Sequence, residues 1–287
     1  MGFQMEKDKM YLMPVVFGPA VTPRQKPGGG RWIYEPPGKT THYKVVCQVS
    51  AEKLESILPE KFTLAGPYVI VTFSALRNLA WLAGKGYDIV HIEIPVFFEG
   101  EDGRIRGNFE PVLWEDLTEA ILTGREQLGY SKIFGTIHTM TEIGHYAMGS
   151  VCANEFKFLD MIIDLDQPPE EPELLKSLIA NPEVRGKIHY RYIPKTGEPF
   201  TEAAEEYVCF GPNAWNPPAD LKNDDCPAAE THFCRGELIW HRPEWEDSPT
   251  QAHIIRFLCD LGFQRYIGAA KSIVYSHNDI YAQHKVK

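Results

Sequence analysis

Short apolar runs, broken at close intervals by glycine, proline and polar turns, make up most of this chain. Residues 42–49, 68–76 and 88–98 are rich in valine, isoleucine and aromatic side chains, and each is no longer than a strand. Similar runs recur through 147–164 and at 187–193, 205–210, 233–240 and 264–276. A chain patterned this way buries its apolar faces by pairing strands rather than by packing long helices. The expected fold is α+β and mostly antiparallel, with few short helices and a sheet curled on itself or closed into a barrel.

The helical signals are few and local. Ser50 is a good N-cap for a helix carrying Leu54, Ile57 and Leu58, which Pro59 ends. Asp116-x-x-Glu119 has the spacing of a capping box, with Leu117 and Ile121 a turn apart and Gly124 as the stop. A surface helix is expected near 172–180. The clearest helix begins at Ser248-Pro249, carries Ile254, Ile255, Leu258 and Leu261 on one stripe, and stops at Gly262. Residues 132–140 read as one continuous strand with Lys132, Phe134, Thr136, His138 and Met140 on a shared face. Five prolines and five glycines crowd residues 18–38, so residues 1–39 read as an irregular arm and 40–287 as a single domain.

Charge and motif content exclude several function classes. The balance of 29 Lys plus Arg against 39 Asp plus Glu, net −10, comes with no basic cluster, which argues against a nucleic-acid partner. No apolar run approaches the roughly 18 residues of a membrane span, and the charged start does not read as a secretory signal, so the expected location is cytoplasmic. The six cysteines are scattered with no C-x-x-C pair and read as reduced thiols. Cys226, His232 and Cys234, beside Asp224 and Asp225, form the nearest approach to a metal cluster but lack a second spaced pair, so no metal is expected. Gly84-Lys85-Gly86 lacks the third glycine of a dinucleotide loop, and no organic cofactor is expected.

One segment carries chemistry. In Gly124-Arg125-Glu126-Gln127-Leu128-Gly129-Tyr130-Ser131-Lys132-Ile133-Phe134-Gly135, a lysine opens an otherwise uncharged strand. Such a lysine is commonly an exposed strand end. If buried instead, desolvation disfavours an ammonium and leaves a neutral amine able to attack a carbonyl. The segment resembles the G-R-E-x-x-G-[FY]-P-K-[KI]-x-G run of the acetoacetate decarboxylase family. Leu54-x-x-Ile57-Leu58-Pro59-Glu60-x-Phe62, Ile94-Pro95-Val96, Tyr192-Ile193-Pro194 with Gly197-x-Pro199, and Arg235-Gly236-Glu237-Leu238 resemble further family segments, so the likeness spans about residues 40–276.

The resemblance implies a cone-shaped β-barrel, a homo-oligomer and a small keto-acid substrate that condenses with Lys132 without metal or organic cofactor. A protonated imine is an electron sink. It accepts the electrons left by departing CO2 from a 3-keto acid, or permits aldol condensation and dehydration through an enamine. A barrel that only binds a small apolar ligand is the non-catalytic reading.

Two departures bear on the chemistry. The family's decarboxylases carry a second lysine after the nucleophile, the recognised device for lowering its pKa; here Ile133 stands there, on the opposite strand face, leaving burial to tune the amine. Their arginine before the first strand and glutamate in a hairpin have alternative counterparts here: Lys39 or Thr40 for the first, and Asp88, Ile89 or Glu93 for the second. Arg125 and Glu126 are expected as a buried pair behind Lys132. Alternation places Asp88 opposite His91 and Glu93 on their strand, where one face supplies an acid or substrate contacts, and Tyr87 and Tyr275 are candidate donors to a bound carboxylate.

Overall fold

A computed structural model describes residues 2–101, 103–197, 202–212, 226–277 and 282–287. Its strands are β1 (Gly38–Gln48), β2 (Phe62–Leu64), β3 (Tyr68–Arg77), β4 (Tyr87–Gly100), β5 (Gly103–Glu115), β6 (Lys132–Phe134) and β7 (Thr136–Ile143). They continue as β8 (Tyr146–Ala153), β9 (Phe156–Asp164), β10 (Gly186–Pro194), β11 (Ala203–Pro212), β12 (Glu230–Trp240), β13 (Arg265–Ser276) and β14 (His284–Lys285). The helices are short: α1 (Ala51–Glu55), α2 (Thr118–Thr123), α3 (Pro172–Ile179) and α4 (Ala252–Cys259). Pro199, Asp224 and Asp225, named above, lie outside the described residues.

The strands form one sheet in the order β14-β11-β10-β5-β4-β3-β1-β13-β12-β9-β8-β7, with β2 on β4 and β6 on β5. Pairing is antiparallel except where β5 meets β10 and β6. β7 packs back over β3 and β4, so the sheet curls around its core. Among the described residues no ladder joins β14 to β7, so hydrogen bonding leaves the curl open rather than closing a barrel.

One face of the curl is apolar. Val45, Val71, Val90, Ile92, Ile94, Trp114, Phe158 and Met161 meet there, all buried. Each large side chain so buried contributes about 2–3 kcal/mol. The other face of β3, β4 and β5 is unusual in burying polar groups: Thr72, Ser74, His91, Glu93, Asn108, Glu110 and Glu115. A register shift between Ile92 and Ile94 lets both Phe109 and Val112 face the apolar core. Side-chain parity therefore changes within β5, and Glu110 shares the polar face with Leu113 and Glu115.

Three local expectations need correction. The strand expected over 132–140 is two strands. At Gly135, a Cβ would meet Trp114 Cδ1 at 3.0 Å and the Cys152 carbonyl at 3.2 Å, and there the chain leaves β5 to pair with β8. The capping box is not used: α2 starts after Leu117 with no side-chain cap, and Asp116 Oδ1 instead accepts from the Asp88 amide at 2.9 Å. Ser248 does not cap α4 with its hydroxyl; its carbonyl accepts from Gln251 and Ala252, and the helix begins a turn later.

Candidate active site

The Lys132 segment is positioned by an irregular helix end. α2 passes into a single π-helical turn, Gly124–Leu128, rather than stopping at Gly124. Such turns widen the helix locally and recur at functional sites. Gly129 then takes φ 76°, where a Cβ would also strike Cys209 Sγ at 2.5 Å, and this sharp exit carries Tyr130 and Ser131 into β6. Lys132 stands beside Leu113 across the parallel β5–β6 ladder, on the polar face.

Its side chain is enclosed. Lys132 is 4% exposed. Nζ lies 2.7 Å from Glu115 Oε1, donates to the Ala120 carbonyl at 3.2 Å, and sits 5.0 Å from the Tyr130 ring centroid. A Cβ on Gly124 would meet Lys132 Cδ at 2.3 Å, so only glycine leaves room for this rotamer. Glu115 is fully buried, and the ammonium approaches it off the directions of a good hydrogen bond. Burial pushes the Glu115 carboxyl upward, against the lowering effect of Lys132. The amine therefore sits against a buried carboxyl, and Ile133 brings no second cation to it. Ile133 faces the other way and packs against the apolar core, as alternation predicts.

A second polar cluster lies on the same face. His91 Nδ1 is 3.0 Å from Glu110 Oε1, and its Nε2 is 3.1 Å from Ser74 Oγ, which His42 meets from the far side at 2.8 Å. Glu93 accepts from Thr72 at 2.9 Å and Asn108 at 2.8 Å. The Lys187 ammonium bonds Glu110 and lies 3.6 Å from Glu93 Oε1. Donor atoms of His91, Glu93 and Glu110 fall within 4.8 Å of one another, a spacing a metal ion would accept, and Lys187 already supplies a cation there.

Electrostatics follow from this packing. Burial is the largest single influence on Glu93 and Glu110 and raises both, but Lys187, His91 and their other polar neighbours together outweigh it, holding Glu110 at about 2 and Glu93 well below the usual carboxylate range. Burial lowers Lys187, and the two carboxylates more than restore it. His42 and His91 are pushed down by burial and by nearby lysines. His189 is pushed to about 3 by burial, with Lys187 and Lys132 opposing the help of Glu110. Its ring is fully buried, neither nitrogen has a hydrogen-bond partner among the described residues, and it packs 3.9 Å from the Tyr130 ring.

The sequence-derived candidates divide between the two faces. Tyr87 and Glu93 share the Lys132 face, and alternation places Asp88 opposite His91 and Glu93 as expected. Asp88 pairs with Arg77 at 2.6 Å and accepts from Thr139, tying β4 to β7. Tyr275, beside Lys39 and half-buried, is on that second face too. Arg125 and Glu126 are not a buried pair: Arg125 is exposed and donates to the Lys132 carbonyl at 2.9 Å, while Glu126 is half-buried. Glu115, Glu110, Lys187 and His189 were not foreseen; their signal is ionisable side chains inside strands otherwise buried. His232, from the dismissed metal cluster, bonds the Leu165 carbonyl at 2.7 Å.

The family model for acetoacetate decarboxylase (ADC) matches residues 13–234. The chain belongs to the acetoacetate decarboxylase family. No curated protein matches it. Among solved structures, an acetoacetate decarboxylase superposes with TM-score 0.65 at 15% identity, covering 98% of each chain. An acetoacetate decarboxylase-like enzyme from Sphingomonas wittichii RW1 gives 0.61 at 12% identity, over 88% of this chain and 93% of the other. The enduracididine biosynthesis enzyme MppR, complexed with pyruvate, gives 0.57 at 14% identity, over 87% and 90%. These likenesses establish the family's fold in this chain. Among the described residues no helix is long and apolar enough to cross a membrane.

Proposed function

We propose that the protein is a lyase that binds a small keto acid as a Schiff base on Lys132. The observation that carries this reading is a lysine amine 4% exposed, 2.7 Å from a buried carboxyl whose proton affinity burial raises. In such a pair the proton can pass from ammonium to Glu115, leaving a neutral nucleophile in a site that excludes water. The amine adds to the keto carbon, water leaves, and the iminium draws electrons from the adjacent bond. With a 3-keto acid that bond is C–CO2, and decarboxylation follows. Arg125 holds the Lys132 backbone and belongs to the catalytic segment as a positioning residue, with Glu126 beside it. Glu93 and Tyr87 supply the polar wall.

Aldol condensation of pyruvate with an aldehyde, followed by dehydration, is the second reading. It is favoured by Ile133 in place of a second lysine and by fold likeness to the pyruvate-complexed MppR. The same amine serves both reactions. Borohydride reduction in the presence of pyruvate or acetoacetate, followed by mass spectrometry of peptides, tests the common step. One adduct at Lys132, lost in Lys132→Ala, is the expected result; labelling elsewhere, or none, refutes it. Release of CO2 against consumption of pyruvate with an aldehyde separates the two reactions.

A further inference from the structure

We infer that His189, paired with Glu110, is the group that moves a proton to and from the carbon next to the Lys132 imine, so that the substrate is a keto acid or ketone with hydrogen on that carbon. The inference rests on the Schiff-base reading and adds a residue to it. Three observations converge on this histidine.

The ring is fully buried, yet both nitrogens lack hydrogen-bond partners among the described residues. A buried unpaired donor or acceptor costs about 1–3 kcal/mol, so a site that retains one gains its partner from a bound molecule. Glu110 Oε2, also buried and unpaired, lies 3.6 Å from His189 Nε2. That carboxylate faces Nε2 and leaves Nδ1 as the free lone pair, the arrangement by which a carboxylate orients an imidazole base. Glu110 is itself fixed, through Oε1, by His91 and Lys187. Tyr130 lies beside both groups, its ring centroid 3.9 Å from that of His189 and 5.0 Å from the Lys132 amine.

The proton transfer balances without an outside reagent. Lys132 Nζ condenses with the ketone and water leaves, giving an iminium. A C–H bond beside the former carbonyl breaks, its pair forms C=C, and the C=N π pair moves onto nitrogen, giving a neutral enamine. The proton goes to Nδ1 of His189, and Glu110 Oε2 balances the imidazolium. Lys132 is one of the cations that disfavour a proton on His189. Discharge of the iminium removes that cation as the imidazole takes its proton. In the reverse direction the same nitrogen returns a proton to an enamine, including one left by loss of CO2.

The test compares two readouts on the full-length protein. Borohydride trapping of pyruvate reports imine formation at Lys132, and NMR in D2O reports exchange of the methyl hydrogens of pyruvate and acetone. Wild type is expected to do both. His189→Gln and His189→Asn should keep trapping within a few-fold but lose exchange by roughly a hundredfold or more, the range of one general base. Glu110→Gln should lose roughly tenfold. Trapping without exchange in the wild type, or unchanged exchange in either folded His189 variant, overturns the role of His189 while sparing Lys132. Absence of trapping in the wild type overturns both.

Discussion

Replacing Gly124 by alanine tests whether the buried amine is placed by the backbone above it. Gly124 has φ −63° and ψ −44°, so alanine suits its backbone and by helix propensity alone should stabilise by about 1 kcal/mol. The new Cβ would instead stand 2.3 Å from Lys132 Cδ, 2.5 Å from Cε and 2.7 Å from Nζ. The lysine must swing away, and Glu115 loses its ion pair while fully buried. Breaking a buried pair costs about 3–5 kcal/mol, so the net loss is roughly 2–4 kcal/mol once the propensity gain is subtracted. Urea unfolding measures this directly. Borohydride trapping should fall roughly a hundredfold, as expected for a nucleophile displaced by an ångström or more. The decisive control is the same change in a Lys132→Ala background, where the clash is gone and alanine should stabilise by about 1 kcal/mol. An equal effect of Gly124→Ala in both backgrounds would refute the packing argument.

Acid should destabilise the fold in two windows. Burial lowers His42, His91 and His189, so as pH falls below about 6.5 the unfolded chain protonates these rings first, and stability drops by about 1.4 kcal/mol per pH unit for each. For His189 this continues to about 3, and His189→Gln should make the slope of unfolding free energy against pH shallower by one proton. Glu93 and Glu110, whose carboxyls are held down, add their loss only below about pH 4.3. Ile133→Lys should cost roughly 1–3 kcal/mol, because it puts an ammonium against the apolar core, and should leave the acid limb of imine formation unmoved. A shifted limb would place that side chain near the amine after all. Asp88→Ala should lose about 2–3 kcal/mol through its Arg77 and Thr139 contacts with trapping intact; loss of trapping in a folded variant would return Asp88 to the site. A homo-oligomer is expected by light scattering, since Ile143, Tyr146, Met148 and Ile239 leave an exposed apolar patch on one sheet face; a monomer at working concentration would count against it.

Much of the sheet was legible because period-two alternation is robust within one strand. The assignment of Asp88 and His91/Glu93 to opposite faces needed nothing more, and Ile133 followed from its place beside Lys132. What could not be read is where alternation is reset. The shift opposite Ile92 and Ile94 makes Glu110 and Glu115 neighbours of one face although their numbers differ in parity. Gly135 divides a run that reads as continuous, since the contact that breaks it is with Trp114 on another strand. Lys187 and His189 join the site only through the parallel pairing of β10 with β5, which joins segments far apart in sequence. Asp116 has the spacing of a cap but serves the Asp88 amide, a tertiary partner outranking a local one.

The central ladder of the sheet sets a timetable for synthesis. β1 lies between β3 and β13, with Gly38 opposite Ser276. At roughly 5–20 residues per second, β1 leaves the ribosome about 10–50 s before its C-terminal neighbour. Throughout that interval one edge of β1, with Val45, Val46 and Cys47, is open to any passing strand. The chain thus depends on β13 both to complete the ladder around β1 and to end that strand's exposure to aggregation. Truncation just before Arg265 should therefore yield insoluble protein rather than a soluble fragment.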